Sequence, residues 1–198
     1  MMFKSVKPYF IFLFIFLMVR AETALARELL ANTFVGAHYH SFSGNQENSF
    51  VGNESYGLSV ISTPHREHLR LHYGAIVTYA DARPYISGSR KSTILYSTDA
   101  LIGLSVYPII RRVSIRPFIE ASGMGGIKYL EILNPPESVD ARTTGLSFGY
   151  RLAIGLETSF DNHYGLRCFA DYISNKASVA SASDFQFDGF ALNIGFYF

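Results

Sequence analysis

Gly145-Leu146-Ser147-Phe148-Gly149-Tyr150-Arg151-Leu152-Ala153-Ile154-Gly155-Leu156-Glu157 alternates without a break. Successive side chains of an extended strand point to opposite faces. Leu146, Phe148, Tyr150, Leu152, Ile154 and Leu156 therefore share one face, and Gly145, Ser147, Gly149, Arg151, Ala153, Gly155 and Glu157 share the other. All the bulk lies on one side. The other side is glycine, alanine and serine with two charges, too small and sparse for the solvated face of a soluble sandwich. A barrel closed within a lipid bilayer makes the reverse demand. Its large apolar residues face hydrocarbon, and its compact and charged ones face a narrow interior.

The same alternation recurs on either side of this stretch. Leu69, Leu71, Tyr73, Ala75, Val77 and Tyr79 oppose Arg70, His72, Gly74, Ile76, Thr78 and Ala80; Phe190, Leu192, Ile194, Phe196 and Phe198 oppose Gly189, Ala191, Asn193, Gly195 and Tyr197. Eight such runs are expected, near 33–40, 56–62, 69–80, 94–107, 114–129, 145–160, 164–173 and 187–198. The connections at 41–55, 81–93, 130–144 and 174–186 are long and rich in Gly, Ser, Asn, Asp and Pro, whereas those at 62–68, 108–113 and 161–163 are short. Long connections on one side and short turns on the other, with an even strand number, predict an all-β, eight-stranded, antiparallel up-and-down transmembrane barrel.

The N-terminus reads as an address. Lys4 and Lys7 precede an apolar run from Tyr9 to Val19, and Ala24-Leu25-Ala26 offers the small-x-small site of a signal peptidase. Residues 1–26 are expected to be a signal peptide and 27–198 the barrel domain; an uncleaved anchor is the alternative. Removing that segment leaves 14 Lys and Arg against 15 Asp and Glu, so no basic excess steers nucleic acid, and no nucleic-acid partner is expected. No later stretch approaches the roughly 18 apolar residues of a membrane helix. Cys168 is the one cysteine, which excludes an internal disulfide.

Taking the compact face of each run collects Arg70, Asp99, Arg116, Glu120, Lys128, Arg151, Glu157, Arg167 and Asp171 as lumen charges. Five basic and four acidic groups nearly cancel. Burying them singly costs several kcal/mol per ion, so a paired network is predicted. Faces are preserved across the 161–163 turn only if Phe160 sits opposite Tyr164, which puts Glu157 opposite Arg167, Gly155 opposite Phe169, and Arg151 diagonal to Asp171. Tyr39, Tyr56, Tyr79, Tyr96, Tyr129 and Tyr172 lie on the apolar face toward the long-connection ends. They are expected to form an aromatic girdle at the outer headgroup layer.

The chain offers little catalytic chemistry. His38 and His40 alternate toward the lumen, a spacing suited to two metal ligands, but no carboxylate or cysteine nearby in sequence completes a site. His72 also points inward. No Gly-x-Ser-x-Gly, Walker loop or His-Glu-x-x-His occurs. The Gly123-x-Gly125-Gly126 cluster lies in a strand and reads as a bend or a close backbone approach. No catalytic, cofactor or metal residues are assigned.

These strands resemble the small eight-stranded outer-membrane barrels of the OmpA/OmpX type, and the closing Phe190-x-Leu192-x-Ile194-x-Phe196-x-Phe198 is similar to the last strand that the barrel-assembly machinery of such families recognises. The resemblance implies a monomer in the bacterial outer membrane, with lipid and lipopolysaccharide as surroundings and the assembly machinery as a partner during biogenesis. Ile115-Arg116-Pro117-Phe118-Ile119-Glu120-Ala121 followed by glycines is also similar to a strand found in the lipid A 3-O-deacylases. That family pairs a serine with a histidine two residues before it. Ser174 matches the serine, but Tyr172 stands where the histidine belongs, which removes the base. The expected role is structural or recognitional, through four surface loops around a plugged polar lumen. Arg83, Arg90 and Lys91 of the second loop are candidates to meet lipopolysaccharide. A narrow pore, a lipid-modifying enzyme and a periplasmic lipid carrier are the rival readings.

Overall fold

The computed structural model describes residues 32–43, 50, 53–63, 68–86, 89–108, 115–134, 140–160, 164–179 and 182–198. Eight strands form the wall: β1 (Thr33–Phe42), β2 (Glu54–Ser62), β3 (Leu69–Ala82), β4 (Thr93–Val106), β5 (Ile115–Ile132), β6 (Arg142–Ser159), β7 (Gly165–Val179) and β8 (Gly189–Tyr197). Each pairs antiparallel with the next, and β8 pairs back onto β1, closing the sheet. Short strands decorate it. Tyr85–Ile86 pairs with Ser89–Arg90 between β3 and β4, and Ala182–Gln186 folds back on the upper part of β7. The candidate signal peptide, 1–26, and the turn residues 161–163 lie outside the described residues.

The bulky face points outward. Phe148 is 69% exposed and Ile154 63%, whereas Arg151 is 0% and Glu157 4%. The β6–β7 register is the one that keeps both faces intact: the Phe160 N–H donates to the Tyr164 carbonyl at 3.0 Å, Glu157 sits opposite Arg167, and Gly155 opposite Phe169. A Cβ on Gly155 would run into Phe169 Cβ and lie 2.7 Å from Phe118 Cζ, so glycine is what admits those two rings.

Three strands outrun their expected limits by three residues or more. β5 continues to Ile132, β6 begins at Arg142, and β7 runs to Val179, so much of the 174–186 connection is strand. Its polar composition reads as a loop because it stands near the outer rim of the wall, where Ser174, Lys176 and Ser178 take the outward positions that apolar residues hold lower down.

Following paired residues around the wall from Thr33 through Ser62, Tyr73, Ile102, Gly123, Tyr150, Ser174 and Asp188 returns to the first strand's end at Ser43, ten residues along. With about 3.3 Å per residue and about 4.8 Å between strands, this stagger tilts the strands by roughly 40° and lifts each cross-strand row about 3 Å per strand. The tyrosines feel the consequence. Tyr39, Tyr56, Tyr79, Tyr96 and Tyr129 are successive members of one such row. Instead of a level girdle they make an ascending band, with Tyr129 about 12 Å above Tyr39. Tyr172 is off that row and lies mid-strand, with ring centroids 6.3 Å from Tyr150 and 5.4 Å from Phe190.

The inner face also departs from the expected compact and polar lining. Phe34, Tyr107, Phe118, Phe169 and Tyr197 crowd the end where β1 begins and β8 ends, and Phe42, Phe50, Leu95, Leu130, Phe185 and Phe187 gather at the long-connection end. Phe50, from the β1–β2 connection, stacks on Phe187 at 4.8 Å and lies 5.4 Å from Phe42. Alternation places Phe169, opposite Gly155, and Tyr197 on this face; the others go unflagged because a barrel's inner face tolerates rings wherever a facing position is small.

Candidate functional site

The charged side chains converge between these two aromatic layers. Arg151, from the middle of β6, is the hub: its Nε and Nη2 donate to the Asp171 carboxylate at 2.9 and 3.1 Å, and its Nη1 donates to Glu120 Oε2 at 3.1 Å. Arg167 donates to the other Glu120 oxygen, which also accepts from Ser105 Oγ at 2.7 Å. Asp171, Arg151, Glu120 and Arg167 thus alternate in sign along one chain, all 2% exposed or less. Such burial is tolerable only because each charge meets an opposite one and further hydrogen bonds fill the remaining positions. The Arg167 guanidinium also lies 4.0 Å from the Phe118 ring centroid and 5.3 Å from Phe169, so aromatic faces take up part of its charge.

The other expected lumen charges form two satellites. Near the long-connection end, Asp99 accepts from Lys128 Nζ at 2.5 Å, Ser97 Oγ at 2.6 Å, and Ser147 Oγ and Asn175 Nδ2 at 3.1 Å each. Toward the opposite end, Glu157 accepts from Arg116 Nη2 at 2.5 Å and from the Tyr107 hydroxyl at 3.0 Å. Arg70 packs its guanidinium 3.7 Å from the Tyr107 ring centroid. Glu157 and Arg167 are opposite each other in the ladder, yet Arg167 reaches across the lumen to β5 while Glu157 takes Arg116.

Polar residues that sequence reasoning left without a role complete the network. Both His72 nitrogens are engaged, at 2.7 Å from Ser105 Oγ and 2.7 Å from Ser122 Oγ. Asn193 bridges His38, Ser59 and Asp171. The available signal was their place on the compact face; Asn175 lacked even that, because its segment reads as loop. Above the network and beneath the Phe187 ring, a cavity of about 20 Å³ is lined by His38, His40, Asp99, Lys128 and Asn175 among others. Among the described residues no three of His, Cys, Asp and Glu converge to hold a metal.

On the outside, Ser174 stands two residues from Tyr172 and across from Tyr150 on the outer wall. Cys168 is exposed there too. The Gly126 backbone packs against Thr98, whose carbonyl a Cβ would strike, whereas a Cβ on Gly123 would meet nothing nearer than 4.0 Å. Arg83 and Arg90 are exposed in the β3–β4 connection, and the Arg83 N–H donates to Asn53 Oδ1 at 2.7 Å, tying that connection to the one before β2. The closing Phe190, Leu192, Ile194, Phe196 and Phe198 all project outward, 50–63% exposed.

No family model and no curated protein matches the chain. Among solved structures it is similar to the outer membrane protein OprG from Pseudomonas aeruginosa, with a TM-score of 0.51 at 14% identity over 84% of this chain and 95% of that one. It is also similar to a major outer membrane protein from Thermus thermophilus, with a TM-score of 0.45 at 12% identity over 85% of this chain and 98% of that one. At such identity the likeness to OprG is one of fold, and that fold is the small closed β-barrel of an outer-membrane protein.

Proposed function

We propose that the chain is a bacterial outer-membrane protein, exported by its first 26 residues, that anchors as a monomer, passes no ions, and acts at the cell surface through its four long connections. The inverted distribution of side chains carries this reading. Large apolar residues cover the outer wall while ion pairs and rings fill the axis. The outward row from Phe190 to Phe198 then serves as the signal for the assembly machinery.

Purified protein in planar bilayers is expected to give no steady single-channel current, because ions would have to displace the Arg151 pairs and the rings above them. Persistent conductance would replace the anchor by a pore. Outer-membrane fractionation with heat-modifiable migration on a detergent gel tests the location. A separate expectation concerns the surface: replacing Arg83, Arg90 and Lys91 together by Ala weakens binding to immobilised lipopolysaccharide several-fold, with the loss shrinking as salt rises. Unchanged binding would remove that loop from the interaction.

A further inference from the structure

His38 and His40 stand two apart on the inner face of β1, with ring centroids 6.1 Å apart. Alternate positions on one strand are a natural way to bring two imidazoles to one metal ion. The hydrogen bonds settle the tautomer of the first. Asn193 Nδ2 donates to Asp171 Oδ2 at 2.9 Å, so its Oδ1 is the atom turned to His38, 2.8 Å from Nδ1. That oxygen only accepts. His38 therefore carries its proton on Nδ1, and its Nε2 keeps a lone pair.

The second imidazole is buried, with one of its nitrogens unpartnered. His40 is 5% exposed, and its Nε2 makes no hydrogen bond. Glycine at 189 makes room for the ring itself, since a Cβ there would come within 2.6 Å of that nitrogen. A third candidate ligand shares the chamber. Asn175 Oδ1 is also without a hydrogen-bond partner, in a side chain 2% exposed, while its Nδ2 donates to Asp99 at 3.1 Å. A carboxylate on the amide nitrogen raises the electron density of the amide oxygen and fixes its direction. His38, His40 and Asn175 line the same cavity of about 20 Å³, room for one water-sized species. Lys128 lines it as well, but its charge is met by Asp99 at 2.5 Å.

We propose that this chamber binds one divalent transition-metal ion of the copper–zinc class, held by His38, His40 and the Asn175 amide oxygen. Two imidazole nitrogens and an oxygen suit borderline metals, and copper(II) stands highest among them in affinity. The shortage that sequence spacing suggested is met by an amide from β7, a strand 137 positions away from His38 in the chain. The chamber lies close to the level of Tyr39, near the outer mouth.

The test uses the full chain refolded in detergent, carrying Cys168→Ser to remove the exposed thiol. Copper(II) is titrated against glycine as a weak competitor, and electron paramagnetic resonance counts the bound nitrogens. One equivalent with two-nitrogen splitting is expected. His40→Leu should weaken uptake at least tenfold and remove one nitrogen, in protein that still shows heat-modifiable migration. Should that variant fail to fold, zinc(II) added to the unsubstituted His40 protein should move the NMR signals of the His38 and His40 rings and leave His72 in place. Absence of stoichiometric uptake, uptake equal in His40→Leu, or His38 and His40 signals that zinc does not move would each overturn the site.

Discussion

Glu120→Leu is expected to lower the unfolding free energy of the barrel by about 3–5 kcal/mol, the range for removing one partner of a buried ion pair. Glu120 is 1% exposed and answers two arginines, Arg151 and Arg167, as well as the Ser105 hydroxyl. Leucine would leave Arg167 with no carboxylate and Arg151 with Asp171 alone. With the acid that separates them gone, the two guanidinium groups then repel in a confined space. Urea titration in lipid vesicles reads the loss directly. The comparison is Glu157→Leu, whose partner Arg116 keeps a quarter of its side chain in solvent; screening there should hold the effect well below that of Glu120. Equal losses at the two sites, or a loss under about 1 kcal/mol for Glu120→Leu, would mean the chain of alternating charges is not a unit that stabilises the lumen.

Which charged residues enter the lumen was legible; which partners they choose was not. Face assignment needs only the period of two, because glycine, alanine and serine against leucine and phenylalanine differ in size at most steps of β6 and β8. Partner choice depends on reach. An arginine spans most of a small barrel, so Arg167, facing Glu157 in the ladder, bonds to Glu120 on a strand two removed. Short side chains behave more locally: Asp171 meets Arg151 on the neighbouring strand, the diagonal that alternation predicts.

The strand ends and the aromatic layers were the harder features. Ser174-Asn175-Lys176-Ala177-Ser178 has the composition of a turn, and only its pairing with Leu146–Tyr150 on one side and with Phe185 and Gln186 on the other makes it a strand. Phe42 and Phe187 fall on the face that carries charges elsewhere, so alternation gives no warning of a ring layer above them. The stagger was also hidden. It follows from where rows close around the barrel, a property of eight registers together, and it turns a row of tyrosines that looks level in sequence into a slope.

Ile154→Arg tests the orientation of the wall, with an expected cost of about 2–4 kcal/mol in vesicles. On β6 the outward ring at Tyr150 and the ring at Phe160, past the strand's end, are ten residues apart, which at roughly 40° of tilt is about 25 Å along the axis, the height of a hydrocarbon band. Ile154 sits near its middle and is 63% exposed. A guanidinium there has no water and no carboxylate within the wall, so its solvation is lost. Tyr164→Arg, at the turn end where Tyr164 is 60% exposed, should cost only about 0–1 kcal/mol because the charge reaches the interface. A depth-dependent penalty of this kind belongs to a wall in hydrocarbon alone. In a soluble barrel the outer surface is wet at every height, and the two arginines would be equally harmless, a result that would reverse the reading of the greasy face on which the membrane assignment stands.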